Sequence, residues 1–193
     1  FLNYNGYHAT ACISINDEVI HGIPSKKRVI EEGDIVSIDL GAVLEGFNGD
    51  NAATFAAGAI STEAKRLCDT TKESLFLGIE KAVAGGRIGD IGYAVQHHCE
   101  SRGYSVVREF VGHGVGHKLH EDPSVPNCGT PGRGVRLLPG MTIAIEPMIN
   151  LGKADVKTLP DGWTVKTRDG KLSAHFEHTV AITPSGPKIL TLL

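Results

Sequence analysis

Hydrophobic and polar residues alternate with a period of two over several short stretches of the chain, and with helical spacing over one long one. Residues 10–15 alternate well enough for a strand. Two strand-like runs, residues 35–40 and 48–55, flank the turn-prone segment Val43-Leu-Glu-Gly46 and predict an antiparallel hairpin. Ser61 or Thr62 caps a predicted helix that runs to about residue 83 and stops at Ala84-Gly85-Gly86; Leu67, Cys68, Leu75, Ile79, Ala82 and Val83 give it an apolar stripe. A second helix is expected over about 90–101, with Gly103 as its stop. A glycine-rich loop should follow over 112–116, then strands over 141–149, 163–167, 172–182 and 188–192. Strands, then helices, then strands again imply an α+β fold with an antiparallel sheet. No repeat, low-complexity tract or linker divides the chain, so residues 1–193 read as a single domain.

Composition removes several function classes. A formal charge of −3 leaves no electrostatic footprint for nonspecific nucleic acid or an anionic membrane surface. No apolar run approaches the ~20 residues of a membrane span, and none resembles a signal peptide. Cys12, Cys68, Cys99 and Cys128 form no C-x-x-C pair, which argues against a cysteine zinc site and for a reduced, cytoplasmic-type compartment. The chain begins at Phe1 rather than Met, as a processed or truncated form would.

Carboxylates supply the chemical signal. In a hairpin centred on Leu44-Glu45, Asp39 and Asp50 would oppose each other directly, about 5 Å apart at Cβ. Asp is disfavoured inside strands, and a fold tolerates such a pair when a cation lies between them. A register one residue off would instead leave both as solvated edge residues. Glu146 follows Thr142-Ile-Ala-Ile and shares a strand face with Thr142 and Ala144; Glu177 lies inside His175-Phe-Glu-His-Thr-Val180. In Val111-Gly-His-Gly-Val-Gly-His117 the spacing of His113 and His117 suits a helical zinc motif, but Gly114 and Gly116 disfavour helix and no glutamate follows His113. A glycine-flanked loop presenting His113 fits better, while His97 and His98 read as surface residues.

Asp39, Asp50, Glu146 and Glu177 would together carry four negative charges, which two divalent cations neutralise. Without cations, each pair at ~4 Å repels by about 4 kcal/mol at an effective dielectric of 20. Four carboxylates and one imidazole suit Mn, Fe, Co or Zn. Two such ions about 3.5–4 Å apart would clamp a tetrahedral intermediate.

The chain resembles the type I methionine aminopeptidases of the pita-bread fold, a curved antiparallel sheet with helices on its outer face. The likeness is carried by Cys12-Ile-Ser-Ile-Asn16, Val19-Ile-His-Gly-Ile-Pro24, Gly33-Asp-Ile-Val-Ser-Ile-Asp39, Gly49-Asp50, Gly112-His-Gly-Val-Gly116, His120-Glu-Asp-Pro123, Leu138-Pro-Gly-Met141, Ile145-Glu-Pro-Met148, Asp161-Gly-Trp-Thr-Val-Lys-Thr167 and Phe176-Glu-His-Thr179. The resemblance implies removal of the N-terminal methionine from nascent proteins, at the ribosome, when the second residue is small. It implies two divalent metal ions: Asp39 on one, His113 and Glu146 on the other, and Asp50 and Glu177 bridging. Glu146 would also be the general base, and His21 and His120 would hydrogen-bond the scissile peptide and the developing oxyanion. The methionine pocket maps onto Tyr4, Tyr7, Cys12, His21, Leu119 and Trp163, with His120 also in contact with substrate. Asn16 and Ser173 match positions that bind a monovalent cation, although Glu18 replaces the usual apolar residue between them. A monomer without a nucleic-acid or membrane partner is expected.

Three departures accompany the resemblance. The family's catalytic domain begins with about two further helices upstream of Phe1, so residues 1–193 are expected to form one catalytic domain truncated at its N-terminus. Asn5 stands where histidine is frequent, and Leu119 where an aromatic is frequent. Only 30 residues separate Glu146 from Glu177, too few for the helical insertion of type II enzymes. The competing readings are a proline-specific peptidase of the same fold and a non-catalytic binding module that has lost its metal. Cys12 and Trp163 argue against the first, and the five intact ligand positions against the second.

Overall fold

A computed structural model describes residues 1–192. A turn of 3-10 helix, Tyr4–Gly6, precedes strands β1 (Ala11–Ile15) and β2 (Glu18–Ile20), then the hairpin β3 (Ile35–Leu44) and β4 (Phe47–Ala56). Helices α1 (Thr62–Glu80) and α2 (Ile88–Glu100) follow. The second half is strand: β5 (Ser105–Val106), β6 (Gly112–Gly114), β7 (Glu121–Val125), β8 (Thr142–Ile145), β9 (Met148–Asn150) and β10 (Val156–Thr158). The last are β11 (Val165–Thr167), β12 (Ser173–His175), β13 (Glu177–Thr183) and β14 (Gly186–Ile189). The main antiparallel sheet runs β1-β3-β4-β13-β8-β6-β7, with β14 also on β13; two three-stranded sheets, β10-β11-β2 and β12-β9-β5, complete the fold.

The expected hairpin forms, but its turn is Glu45-Gly46, with φ of 50° and 84°. A two-residue turn with both central residues left-handed matches the twist of the flanking strands, and glycine accepts that conformation where Leu44 would be strained. Asp39 therefore pairs with Ala52 and Asp50 with Gly41, two residues from the expected register. A shift of two preserves parity, so both aspartates still share one face.

Ser61 caps α1, its Oγ accepting from the Ala64 N–H at 3.1 Å. The helix ends at Glu80, not near 83: its last turn tightens, with Lys81 and Ala82 N–H bonding Gly78 and Ile79 carbonyls. The α2 helix starts two residues earlier than expected, where the Arg87 N–H donates to the Asp90 carboxylate at 2.8 Å. Leu67, Leu75 and Ile79 of α1 and Ile91 and Val95 of α2 pack with Ile143 and Ile145 of β8 and Val180 and Ile182 of β13. Burying each such side chain contributes roughly 1.5–3 kcal/mol. These strand residues alternate with Ala144, Glu177 and Thr179, which therefore face away from the helices.

Two predicted strands are broken. The run 141–149 splits at Glu146-Pro147 and 172–182 splits at Phe176, whose N–H donates to the Pro147 carbonyl at 3.3 Å. Proline supplies no N–H to continue the ladder. Residues 112–114 form a strand rather than a loop, and the C-terminal strand lies at 186–189, earlier than expected. None of the helices among the described residues is long and apolar enough to cross a membrane.

Candidate metal centre and substrate cavity

Successive strands deliver polar side chains to the sheet face opposite the helices. Cys12 of β1 pairs with Asp39 of β3, Asp39 with Ala52 of β4, and Ala52 with Glu177 of β13. One step beyond the β13–β8 register, whose terminal pair is His178 with Ile145, Glu146 comes level with Glu177. Asp50 stands two residues along β4 from Ala52, on the same face. Four carboxylates thus occupy neighbouring positions, an arrangement that repels itself.

Strand β6 brings the imidazole. Its glycines are needed for close packing: a Cβ at Gly112 would lie 2.3 Å from the Ala144 carbonyl oxygen, and one at Gly114 2.3 Å from that of Asp122. His113 Nδ1 donates to its neighbour's Gly114 carbonyl at 2.9 Å. This leaves Nε2 3.6 Å from Glu146 Oε1 and 3.9 Å from Asp50 Oδ2. A ring nitrogen held by a backbone carbonyl leaves the other as an oriented ligand. Asp50, His113 and Glu177 each offer a ligand atom within 4.8 Å of the others.

Burial and mutual repulsion shift every ionisable group here toward neutrality. The Asp39 carboxyl is held well above its ordinary range by burial, then by Asp50 and Glu146. Burial and Glu146 raise Asp50 to about 7, and burial raises Glu146 to about 8. Glu177 is pushed well up by burial, then Asp50, Glu146 and Asp39. Burial depresses the His113 imidazole. Oxygens of Asp39, Asp50 and Glu177 are buried without any hydrogen-bond partner. The cavity that they line, about 420 Å³, has no Lys or Arg in its wall. Orphaned carboxylate oxygens, one imidazole and no side-chain cation are a donor set that fits divalent metal.

Every residue expected to touch substrate lines this cavity: Tyr4, Tyr7, Cys12, His21, Leu119, His120 and Trp163. Tyr7 is buried, and its hydroxyl reaches the Ala11 and Gly22 carbonyls at 3.1 Å each. The Tyr7 and Trp163 rings meet edge-on at 5.0 Å. His21 has a φ of 58°, a left-handed conformation uncommon outside glycine and characteristic of functional positions. Its ring meets Phe110 and Trp163 edge-on. Burial lowers His21 and His120 to about 4, helped by His175 and His120 in the first case and His113 in the second.

The hairpin tip is pinned to the loop that carries Leu119 and His120. Asn48 donates from its backbone N–H to the Gly116 carbonyl at 2.8 Å, and from its side chain to the Gly116 and His117 carbonyls at 3.0 and 3.1 Å. His117 is turned outward against the Phe47 ring, 4.3 Å between centroids, and its Nδ1 donates to the Gly46 carbonyl.

Sequence reasoning missed His175, which is almost wholly buried with Nε2 3.5 Å from Glu146 Oε2 and otherwise unpartnered. Its position two residues before Glu177, on the same parity, was the available signal. Phe110, Val111, Ile20 and Glu109 also line the cavity. Asn16 and Ser173 lie outside its wall and touch each other, Ser173 N–H to the Asn16 carbonyl at 2.9 Å. His98, read as a surface residue, is half-buried and bonded to Glu73 at 3.1 Å.

The chain matches the model of metallopeptidase family M24 over residues 2–184. It belongs to that family. A methionine aminopeptidase of Clostridium acetobutylicum is 58% identical to this M24 chain over 192 residues, spanning 100% of the chain and 77% of the relative. The crystal structure of the Thermotoga maritima methionine aminopeptidase superposes with a TM-score of 0.98 at 49% identity, over 100% of this chain and 78% of that one. The prolidase from Pyrococcus horikoshii is more distant, with a TM-score of 0.73 and 27% identity over 95% of this chain and 48% of that one. The pita-bread fold is therefore the fold of this M24 chain, and its likeness to methionine aminopeptidases exceeds its likeness to the prolidase.

Proposed function

We infer that this M24 metallopeptidase is a methionyl aminopeptidase, hydrolysing the first peptide bond of chains that begin with methionine followed by a small residue. The observation that carries the reading is the set of five donors, with orphaned buried oxygens, in the wall of a cavity whose lining also includes Tyr7, Cys12, Leu119, Phe110 and Trp163. Asp39, Asp50, His113, Glu146 and Glu177 would hold two divalent ions drawn from Co, Mn, Fe or Zn. Asp50 and Glu177 would bridge, with Asp39 on one ion and His113 and Glu146 on the other. When bound, the ions supply Lewis acidity at the scissile carbonyl and make water acidic enough to react at neutral pH.

The remaining work belongs to the chain. Burial raises Glu146 to about 8 in the metal-free chain; beside bound cations it would be ionised, and as a carboxylate it accepts a proton from the attacking water. His21 and His120, neutral at pH 7, donate hydrogen bonds to the scissile peptide and to the oxygen on which negative charge develops. Tyr7, Cys12, Leu119 and Trp163 take the long, polarisable methionine side chain. A monovalent cation at Asn16 and Ser173 would rest on backbone carbonyls. Asn16 already bonds Ile35 N–H and Asp34, and Ser173 Oγ donates to Asn150. The natural substrates would be nascent polypeptides at the ribosome, met in the cytoplasm by a monomer.

The test is a metal-supplemented assay on Met-Ala-Ser and on Xaa-Pro peptides. Release of methionine from the first supports the reading. Cleavage of Xaa-Pro alone, or of neither peptide by protein with bound metal, overturns it.

A further inference from the structure

Tyr4 does more than its place in the cavity wall requires. Its hydroxyl lies 2.7 Å from Nδ1 of His120, across 116 residues of chain, and the two rings stack at 5.2 Å with 28° between planes. Neither group has another side-chain or backbone partner among the described residues. The segment that presents Tyr4 is folded on itself. Asn3, Asn5 and Gly6 all have positive φ (65°, 47° and 87°). Tyr4 N–H bonds the Phe1 carbonyl at 2.9 Å, and Tyr7 N–H bonds the Tyr4 carbonyl at 2.8 Å. Asn3 and Asn5 take the left-handed conformation that asparagine accepts more readily than most residues, and the turn they make on either side of Tyr4 sets where its side chain is presented.

We propose that Tyr4 is a positioning residue for His120: its phenol donates to Nδ1 and so keeps the ring proton on Nε2, the nitrogen available to donate to substrate. A phenol without another acceptor gives its proton to an unprotonated imidazole nitrogen, and the partner of one ring nitrogen dictates the state of the other. The stacked rings fix the direction of that N–H as well as its presence. The inference rests on the role given above to His120, and it separates two duties of Tyr4. The ring walls the methionine pocket, and the hydroxyl orients the donor.

The variants Tyr4→Phe and Tyr4→Leu separate them. Tyr4→Phe keeps the wall and loses the hydroxyl, so kcat on Met-Ala-Ser should fall by about ten- to a hundredfold, the upper end being the scale of a misplaced reacting group, with KM and bound metal unchanged. Tyr4→Leu should raise KM as well. Long-range proton–nitrogen correlation spectra of the metal-free chain, labelled at histidine and assigned with His120→Ala, should show Nε2–H for His120 in the wild type and a tautomer mixture in Tyr4→Phe. An unchanged kcat in Tyr4→Phe, or an Nδ1–H tautomer in the wild type, overturns the proposal. A wild-type chain that binds metal yet leaves Met-Ala-Ser intact defeats the parent reading instead, and the spectra still decide the tautomer.

Discussion

Asp39 and Glu177 face each other across Ala52, which pairs with Asp39 on one side and with Glu177 on the other. The small residue between them leaves the space that the two carboxylates proposed to hold metal must share, and it is almost fully buried. Replacing Ala52 by Leu would push a branched side chain into that space. Overpacking of this kind costs about 1–3 kcal/mol. The expected outcome is a folded protein, with circular dichroism unchanged, whose bound metal by elemental analysis falls well below that of the wild type.

Asp50 and Asp39 differ in what they can reach. Asp50 offers an oxygen within 4.8 Å of ligand atoms of both His113 and Glu177, whereas Asp39 lies toward the Cys12 end of the row. Asp50→Asn should therefore lose more metal than Asp39→Asn. Full occupancy of two ions in Asp50→Asn would overturn the bridging role proposed for Asp50.

Glu146 follows the last residue of a strand and is closely framed, with His113 and His175 each within 3.6 Å of one of its oxygens. Glu146→Gln keeps the shape and one oxygen, and should lower kcat by about 10²–10⁴-fold, the usual range for loss of a general base. A near-normal kcat with metal bound would assign the proton to another group.

Much of this site was readable from residues alone, for identifiable reasons. Parity is robust: the true hairpin register differs from the expected one by two residues, and Asp39 and Asp50 still share a face. The position of the turn was less legible, because it depends on which residue accepts a positive φ, and Glu45 gives no such signal. Strand β6 was hidden because its glycines, which look like a loop, are there to let two carbonyls approach. His175 shares the parity of Glu177 but lies beyond the chain break at Phe176, so the residues alone did not place it 3.5 Å from Glu146. Strands of two or three residues, such as β5 and β10, carry no periodicity to detect.

The pH dependence of the metal-free chain follows from the same carboxylates. Folding raises Asp50 to about 7 and Glu146 to about 8, so their contribution is fully present at low pH and is lost as pH rises through those values. His21, His120 and His175, lowered to about 4, act in the opposite sense, but only below their ordinary pKa near 6.5. Between pH 6.5 and about 8 the carboxylates alone remain, and Tm should fall over that window. Added divalent metal should flatten the slope. A Tm that rises from pH 6.5 to 8 without metal would contradict the charge arrangement.

Selectivity should rest on Trp163, which meets both Tyr7 and His21 edge-on. Burying a methionine side chain is worth about 1.5–3 kcal/mol, or roughly 10–200-fold over alanine in the same place. Trp163→Ala should erode that preference without changing metal content. Equal rates on Met-Ala-Ser and Ala-Ala-Ser in the wild type would show that the pocket lies elsewhere.

The three hydrogen bonds from Asn48 to residues 116 and 117 join regions nearly seventy positions apart in the chain. One hairpin thereby carries Asp39 and Asp50 of the carboxylate cluster and tethers the segment bearing Leu119 and His120. Damage at its far end, at Phe47 or Asn48, would travel along two branches of unequal stiffness. Asp39 and Asp50 are braced by strands on both sides, whereas the tethered segment is held by this seam, the Lys118–Glu121 bond and the Tyr4–His120 contact. Drift from an ageing or heated molecule should accordingly surface as poor discrimination among peptides while the ions are still in place, an early warning written at the margin rather than the centre.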